Sequence, residues 1–255
     1  MNLVIIIPTH NRRQLLGNLL NQIMEQKARI AATTYCIVVA DGCTDGTLEM
    51  LHDEFPAVHI VEGPGFWFYT RSMNEGFKQA GAFEPDYILT FNDDIILDGN
   101  YLEKILDAAK CTEPDSVIGS ISFTHSKPHK VFFSGIKRFI AWRQKEIRYY
   151  KKFLEKAPAE FTGIHPSVAL PGRGMLIPYI VLEELDYFDN TFKQYLGDYD
   201  FCRRAEEHGH KVYISYDAKI FSLVEKTGSG ATFVNTSFIN YCRGFFNPYS
   251  RLYIP

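Results

Sequence analysis

The stretch DYILTFNDDIIL (residues 86–97) joins a short apolar run to two adjacent carboxylates, Asp93 and Asp94. The run before the acids is continuous rather than alternating, which is typical of a strand buried on both faces of a parallel sheet. Neighbouring carboxylates repel each other. A divalent cation would remove that repulsion, because Mg²⁺ and Mn²⁺ prefer oxygen ligands and often take only one or two carboxylates. The alternative is that both acids are solvated, or that one caps the following helix.

Three further apolar, β-branched runs precede this stretch: LVIIIP (3–8), YCIVVAD (35–41) and AVHIVE (57–62). Segments with helical patterns lie between and after the runs, at 12–26, 45–54, 69–81 and 99–111. This alternation predicts an open, mostly parallel sheet with helices on both faces. In such sheets, ligands bind beyond the carboxyl ends of the strands.

Polar clusters follow three of the predicted strands: PTHNR (8–12), DGCTDG (41–46) and NDDI (92–95). Asp41, at the end of its strand, could accept a hydrogen bond from a base or a ribose. Arg12 and Arg71 lie near predicted helix starts, where the helix dipole disfavours a cation unless an anion binds nearby. The alternatives are a solvated helix start for Arg12, an exposed position for Arg71 and core packing for Trp67.

The second half of the chain alternates less regularly. Strands are predicted at 116–124, 130–136, 167–178 (around a glycine-rich turn) and 210–221 (one or two strands). The segment 198–209 begins with acids and ends with glycine, which predicts a helix. Its acids, Asp198 and Asp200, either stabilise the helix start or supply a general base for an acceptor hydroxyl.

Composition narrows the class of protein. The 255 residues suit one large domain or a domain with a subdomain. A net charge of −3 provides no overall basic field for nucleic acid. The five scattered cysteines suggest neither a disulfide framework nor a zinc site, and they favour a reducing compartment. No run reaches the ~20 apolar residues of a membrane span, and the opening NLVIIIP lacks the features of a signal peptide, so a cytoplasmic protein is expected.

Six motifs occur in order along the chain: VIIIPTHNR, VVADGCTDGT, TRSMNEGFKQA, DYILTFNDDIIL, GRGMLIP and LGDYDFCRRAEEHGHKVYI. Together they resemble family 2 glycosyltransferases over roughly residues 1–225. The resemblance implies an inverting enzyme with the GT-A fold, a Rossmann-like α/β fold with a mostly parallel central sheet that binds a nucleotide-diphospho-sugar. The aromatic GFWFYTRSMNEG segment is most similar to bacterial enzymes that build surface polysaccharides such as capsule, lipopolysaccharide or exopolysaccharide.

The resemblance also implies roles for individual residues. Positions that match nucleotide contacts are Thr9, Asn11, Arg12, Asp41, Arg71 (phosphate side) and Asp93 (ribose side). Asp94 matches the ligand of a Mn²⁺ or Mg²⁺ ion. Asp198 matches the catalytic base, with Asp200 supporting it. The loops implied to face the donor or acceptor sugar contain Trp67, Gly172, Arg173 and Gly174.

Several positions depart from the family pattern. Ala40 and Asn92 stand where relatives often carry an aspartate, and Gly197 stands where a glutamate often precedes the base. Many relatives have a histidine after the last strand, whereas this chain offers Ser222, Glu225 and Lys226 in that region. A metal is therefore expected with Asp94 as its principal protein ligand.

Within a single domain, residues 1–115 are expected to bind the nucleotide sugar and residues 116–230 the acceptor, followed by a tail at 231–255. The segment 137–156 carries eight Lys/Arg, two Glu and several aromatic residues. It is interpreted either as a surface hairpin or helix whose aromatic residues pack inward, or as a dock for an anionic membrane. The tail has similar chemistry. The expected acceptor is a glycan or a lipid-linked glycan, with peripheral contact at the cytoplasmic face of the inner membrane.

Four other classes of protein fit the sequence less well. No G-x-G-x-x-G follows the first strand and no P-loop is present, which argues against a Rossmann oxidoreductase and a P-loop enzyme. A nucleotidyltransferase shares the chemistry of nucleotide and metal, but it favours a glycine- and lysine-rich loop where this chain has PTHNRRQ. A non-catalytic nucleotide-sugar binder would have no need of both Asp94 and Asp198.

Overall fold

The computed structural model of the protein describes residues 1–140 and 145–223. Its strands are β1 (Asn2–Thr9), β2 (Thr33–Asp41), β3 (His59–Gly63), β4 (Tyr87–Thr90), β5 (Ile95–Leu97), β6 (Val117–Thr124), β7 (Val131–Phe133), β8 (Ile136–Ile140), β9 (Lys145–Arg148), β10 (Ile164–Pro166), β11 (Met175–Pro178) and β12 (Val212–Ser222). Its α-helices are α1 (Arg13–Lys27), α2 (Thr47–Glu54), α3 (Phe68–Ala80), α4 (Tyr101–Lys110), α5 (Tyr179–Glu184) and α6 (Gly197–Glu207).

One central sheet runs through both halves of the chain, in the order β10-β12-β6-β11-β4-β1-β2-β3. Strands β4, β1, β2 and β3 are parallel to one another, and β6 is parallel to β12. Strand β11 joins the two groups by pairing antiparallel with β4 and β6. The predicted α/β class with a mostly parallel sheet is confirmed.

Apolar cores cover both faces of the sheet, because successive strand residues point to opposite sides. Along β1, Leu3, Ile5 and Ile7 belong to one core, while Val4 and Ile6 belong to the other. Helices α1, α2 and α4 cover the first face with side chains such as Leu16, Leu20, Met50, Leu102 and Ile105. Helices α3, α5 and α6 cover the second with Met73, Phe77, Leu182, Phe201 and Ala205.

The strand predicted at 86–92 ends early, at Thr90. Its hydroxyl donates to the carbonyl of Gly172 (2.5 Å), and its carbonyl accepts the amide of Gly174 (2.7 Å). Residues 92–94 therefore leave the ladder as a turn, and the short strand β5, which was not predicted, follows and pairs with β12. The two acids consequently lie on a loop at the sheet's edge.

The prediction of a strand at 167–178 was wrong for its first half, since only Met175–Pro178 is extended in the sheet. The hydroxyl of Ser167 accepts the amide of Ile136 (3.0 Å) and donates to the carbonyl of Ala169 (2.7 Å). Such local bonds compete with a ladder, and Pro171 has no N–H to offer one. The glycine-rich turn predicted within this segment is present at 172–174.

The basic segment 137–156 forms the hairpin β8–β9 rather than a helix; residues 141–144, with Trp142, lie outside the described residues. The ring centroids of Tyr150 and Phe161 lie 4.9 Å apart, and those of Tyr149 and Tyr216 lie 6.5 Å apart. The interpretation with inward-packed aromatic residues is confirmed for these two tyrosines. Glu225, Lys226 and the tail 231–255 also lie outside the described residues.

In the described part of the chain, none of the helices has the length and apolar character required to cross a bilayer.

Candidate functional site

The predicted polar clusters converge because their strands are parallel neighbours. The register pairs Thr9 with Ala40, so β1 and β2 end together. Strand β4 lies on the other side of β1, with Thr90 opposite Ile6. The loops after β1, β2 and β4 therefore meet at one edge of the sheet, as the sequence predicts.

Asp93 is held by two side chains from the first loop. Thr9 donates its hydroxyl to Asp93 Oδ2 (2.8 Å), and Arg12 donates Nη1 to Asp93 Oδ1 (2.9 Å). The same Arg12 nitrogen lies 3.1 Å from Asp94 Oδ2. Both acids are almost fully buried, at 4% and 3% exposure, so their repulsion is strong and Arg12 offsets it.

At this cluster, burial and the pairing of opposite charges shift the pKa values of the side chains in opposite directions. Burial raises the pKa of Asp93 to about 6; the charge of Arg12 opposes this shift and that of Asp94 adds to it. Burial would lower the pKa of Arg12, but the charges and hydrogen bonds of both carboxylates outweigh it and leave that pKa raised. Arg12, predicted as a nucleotide contact, is therefore also the counter-ion of the acidic pair.

Two buried oxygens at the cluster have no hydrogen-bond partner among the described residues: Asp94 Oδ1 and Asn92 Oδ1. Buried polar atoms are normally paired, so an orphaned pair of oxygens indicates a ligand. No group of three or more His, Cys, Asp or Glu side chains in the described residues is arranged to hold a metal. A single carboxylate with a neighbouring amide oxygen fits Mg²⁺ or Mn²⁺, which fill their remaining positions with water and substrate phosphates.

Asp41 organises the loop that leads into α3. Its carboxylate accepts the backbone amides of Gly65 (2.6 Å), Trp67 (2.8 Å) and Phe68 (3.2 Å). An acid at the N-terminus of a helix is favoured by the unpaired amides and the dipole there. The predicted ribose contact of Asp41 stays a prediction, and the structure adds this second task.

Trp67 and Arg71 support the same loop. The Trp67 ring packs so closely on Gly63 that a Cβ there would lie 2.6 Å from it. The Arg71 guanidinium stacks over Trp67 at 5.4 Å, and the Arg71 side chain is 54% exposed, outside the buried acidic cluster. The outward-facing aromatic residue of the loop is Phe66, at 63% exposure. Phe66 was missed, because exposure within an aromatic run is not visible in the sequence.

Asn11 connects the first loop to the second. Its side-chain oxygen accepts the amide of Thr44 (2.7 Å), and its φ is +52°. Asp45, the first residue of the helical segment predicted at 45–54, accepts the amide of Thr47 (3.2 Å) and also that of Arg13 (2.9 Å), where α1 begins. These bonds hold the two loops that would flank a nucleotide.

Asp198 lies in the first turn of α6. One of its oxygens accepts the amide of Gly172 (2.7 Å) and the other the amide of Tyr199 (2.9 Å). Burial raises the pKa of Asp198, while the backbone hydrogen bonds and the charge of Arg173 act in the opposite direction. A fixed carboxylate with a raised pKa is a better proton acceptor than an ordinary aspartate.

Asp200 anchors α6 rather than facing Asp198 through a shared hydrogen bond. Its two oxygens bind Arg203 Nη2 (3.0 Å) and Arg204 Nε (2.8 Å). Arg204 in turn donates to the carbonyls of Leu185 (2.5 Å) and Tyr187 (2.7 Å) beyond α5. The predicted support of Asp198 by Asp200 would therefore act through the position of the helix.

Arg173 interacts electrostatically with both acidic regions. Burial lowers its pKa, and the charges of Asp94 and Asp198 oppose that shift, so both acids lie within electrostatic reach of one guanidinium. Arg173 donates Nη1 to the hydroxyl of Ser222 (2.9 Å) and covers the ring of Phe132 at 4.8 Å. Ser222 thus occupies part of the region where relatives carry a histidine.

The glycines on either side of Arg173 are required by close packing. A Cβ on Gly172 would lie 1.8 Å from the Tyr69 hydroxyl oxygen. Gly174 has a φ of +74°, and a Cβ there would lie 2.7 Å from the hydroxyl oxygen of Tyr101. Tyr69 Oη and Thr70 Oγ1 are buried without a hydrogen-bond partner among the described residues. Sequence reasoning missed Tyr69, since only its long-range contact with Gly172 places it beside Asp198.

Comparison with protein families gives one match: the model described as "Glycosyltransferase like family 2" covers residues 2–243. Comparison with curated protein sequences gave no significant match. Solved structures do resemble the fold. S. aureus TarS residues 1–349 align with a TM-score of 0.59 at 17% identity, covering 88% of this chain and 61% of that one.

Two ligand-bound structures are also similar. TarS 1–349 in complex with UDP gives a TM-score of 0.60 at 17% identity, covering 87% of this chain and 60% of that one. GalNAc-T7, solved with UDP, GalNAc and Mn²⁺, gives a TM-score of 0.68 at 11% identity. The alignment covers 87% of this chain and 44% of that one. At these identities the likeness concerns the fold, and the chain spans about three-fifths or less of these structures.

Proposed function

The chain belongs to glycosyltransferase-like family 2, and we propose that it transfers a sugar from a nucleotide-diphosphate sugar to an acceptor hydroxyl with inversion at the anomeric carbon. The observation that carries this proposal is a pair of acids that both interact with Arg173: the fixed, half-buried carboxylate of Asp198, and Asp94 in a cluster whose oxygens are partly unpaired among the described residues.

Asp198 is the proposed general base. A hydroxyl is a weak nucleophile, so it must lose its proton as its oxygen forms the bond to the anomeric carbon. The proton goes to the Asp198 carboxylate, and the electron pair of the breaking carbon–oxygen bond leaves with the diphosphate. The amides of Gly172 and Tyr199 fix the direction in which the carboxylate points. General base catalysis of this kind contributes ~10²–10⁴-fold to a rate.

The leaving diphosphate needs positive charge. Arg173 interacts electrostatically with both Asp94 and Asp198, and a guanidinium suits phosphate oxygens geometrically. A divalent ion held by Asp94, with the Asn92 oxygen beside it, would supply Lewis-acid neutralisation of the same charge. Arg71 remains the proposed phosphate-side contact at the exposed rim. Burial of Asp94 strengthens the interactions made there relative to water.

The nucleoside is proposed to lie across the loops of the first half. Thr9, Asn11, Arg12, Asp41 and Asp93 line or build these loops. Residues 1–115 would hold the donor and residues 116–230 the acceptor. The UDP bound to TarS and the UDP, GalNAc and Mn²⁺ bound to GalNAc-T7 support a nucleotide-sugar donor and a Mn²⁺ or Mg²⁺ ion.

The proposed acceptor is a growing bacterial surface glycan or its lipid-linked precursor, as in capsule or lipopolysaccharide synthesis. Support comes from the family and from the segments GFWFYTRSMNEG and GRGMLIP, which contribute Trp67, Gly172, Arg173 and Gly174 near the base. The location proposed for this protein is the cytoplasmic face of the inner membrane, where it would make peripheral contact.

A thermal-shift panel of nucleoside diphosphates and nucleotide sugars, with and without Mn²⁺, tests the donor assignment. A ligand that binds only the folded state raises the free energy of unfolding by mass action, and Tm rises with it. At a ligand concentration one hundred times Kd, the gain in the free energy of unfolding is ~2.7 kcal/mol. We expect the nucleotides that carry one particular nucleobase to stabilise the protein. Mn²⁺ should increase the stabilisation that these nucleotides give. A folded protein that responds to no member of the panel would remove the basis of the proposal.

A further inference from the structure

A tight turn at residues 151–154 projects from the edge of the sheet beside the candidate site. The amide of Leu154 binds the carbonyl of Lys151 (3.1 Å) and closes the turn. Two backbone bonds tie it to β7: Phe153 N to the Val131 carbonyl (2.6 Å) and Val131 N to the Leu154 carbonyl (2.8 Å). The turn is therefore a built feature rather than a loose connection.

The turn presents apolar side chains to solvent. Phe153 is 49% exposed and Leu154 is 40% exposed. Phe153 also has a φ of +62°, in the left-handed region that large side chains rarely adopt. A strained backbone that directs a phenylalanine outward is difficult to explain by packing, and such strain is concentrated at functional sites. The neighbouring Tyr150 packs inward against Phe161.

Lysines surround the two apolar side chains. Lys151 is exposed, and the Lys152 ammonium lies over the rings of Phe132 (4.6 Å) and Phe153 (5.0 Å). Lys156 is paired with Glu160 at 3.6 Å, and Glu155 is the one acid within residues 151–156. The turn thus combines a positive charge excess with exposed apolar groups, a combination suited to the interfacial zone of an anionic bilayer.

The turn is connected to the candidate site through one side chain. The ring of Phe132 lies 6.2 Å from that of Phe153 and 4.8 Å from the guanidinium of Arg173. A surface that contacts Phe153 from outside is therefore two side chains away from Arg173, whose charge acts on both Asp94 and Asp198. Docking at this turn would bring the catalytic region next to the docked surface.

We propose that the turn at 151–154 docks the protein on an anionic lipid surface, with Phe153 and Leu154 entering the interfacial layer and Lys151 and Lys152 lying against the headgroups. The charge complements anionic lipid, and the apolar pair gives a component of binding that salt does not screen. The inference goes beyond the transfer reaction, because binding is measured without any sugar donor.

Flotation of the full chain with lipid vesicles tests the proposal. One set of vesicles contains phosphatidylcholine alone, and the other also contains about 30 mol% phosphatidylglycerol, an anionic lipid that gives a strong surface charge. We expect binding to the anionic vesicles only. The double variant Phe153→Asn/Leu154→Ser should lower the partition coefficient about tenfold or more; asparagine tolerates a positive φ, so the turn is kept. The variant Lys151→Gln/Lys152→Gln should also bind about tenfold more weakly and lose salt sensitivity.

Ile180→Ser is the matched control, because Ile180 is 68% exposed on α5. Its partition coefficient should equal that of the wild type. Nucleoside diphosphate release in solution should be unchanged in the turn variants, which separates a failure of docking from a failure of the proposed reaction. Wild-type protein that ignores anionic vesicles, or turn variants that bind as well as wild type while remaining folded by circular dichroism, would overturn the proposal.

Discussion

The backbone amide of Gly172 donates to the carboxylate of Asp198 over 2.7 Å, and this bond joins the glycine-rich turn before β11 to the first turn of α6. Across the turn, the Tyr69 hydroxyl lies where a side chain on residue 172 would be. Three elements distant in sequence therefore determine the position of one acid. The predictions below follow from this arrangement and from the acidic cluster opposite.

Gly172→Ala should destabilise the protein by about 1–3 kcal/mol, because the new Cβ would overlap the Tyr69 hydroxyl. Tyr69→Phe alone should be neutral or stabilising, since it removes a buried hydroxyl that has no partner among the described residues. The double variant should recover part of the loss. Urea unfolding of the four proteins measures the coupling. Gly99→Ala is the control, since a Cβ there meets nothing within 4 Å. Strict additivity of the two changes would contradict the contact.

The pH dependence of kcat/KM should reflect the raised pKa of Asp198. A general base must be ionised, so activity falls as pH drops through its folded-state pKa, which burial raises above that of an ordinary aspartate. The acid limb should therefore lie above about pH 4. The free energy of unfolding depends on pH in the opposite direction. Because the carboxyl pKa of Asp198 is higher in the folded state, protonation of Asp198 stabilises the fold at low pH, and that stabilisation is lost as the pH rises through the pKa of the folded state. An acid limb at or below pH 4 would show that Asp198 is not buried as described.

Asp200→Asn should act on stability more than on chemistry. Its carboxylate binds Arg203 and Arg204, and Arg204 is only 21% exposed, so we expect a loss of about 1–3 kcal/mol. Asp107→Asn breaks an exposed pair with Lys110 and should lower stability much less than Asp200→Asn. Thermal unfolding gives both values. If Asp200→Asn instead abolished turnover at full stability, a direct catalytic role would replace the structural one.

Asp94→Asn should weaken the response to Mn²⁺. The variant loses one charge and leaves a neutral amide close in sequence to Asn92. We therefore expect its apparent affinity for Mn²⁺, in the presence of a nucleoside diphosphate, to fall by about tenfold, and the stabilisation by Mn²⁺ to fall with it. Asp53→Asn, an exposed change on α2, should leave the response intact. The readout is the Mn²⁺-dependent shift in Tm. An unchanged shift in Asp94→Asn would place the cation elsewhere.

Much of the fold follows from local pattern. Continuous apolar runs such as residues 3–8 and 35–41 are buried on both faces, so they identify the parallel strands without ambiguity. The strand-end rule then brings Thr9, Asp41 and Asp93 to one edge. These features depend on sequence neighbours and on strand direction alone, and for that reason the sequence was enough to predict them.

Other features depend on contacts between distant residues. Nothing local indicates that Asn92–Asp94 leaves the ladder, because the cause is the bonding of Thr90 to the 172–174 turn. The roles of Asp41 and Asp200 in holding a loop and a helix depend on which amides and arginines pack near them. The exposure of Phe153 likewise depends on its φ and on β7, whereas composition alone predicts only an aromatic, basic segment.

The release of nucleoside diphosphate from a panel of nucleotide sugars, measured with Mn²⁺ for the wild type and for Asp198→Asn, tests the central claim most directly. The account predicts that the wild type turns over at least one donor and that the variant is slower by ~10²–10⁴-fold. The variant should bind the matching nucleoside diphosphate as tightly as the wild type. A folded wild type that releases no diphosphate from any donor, or a variant as fast as the wild type, would contradict it.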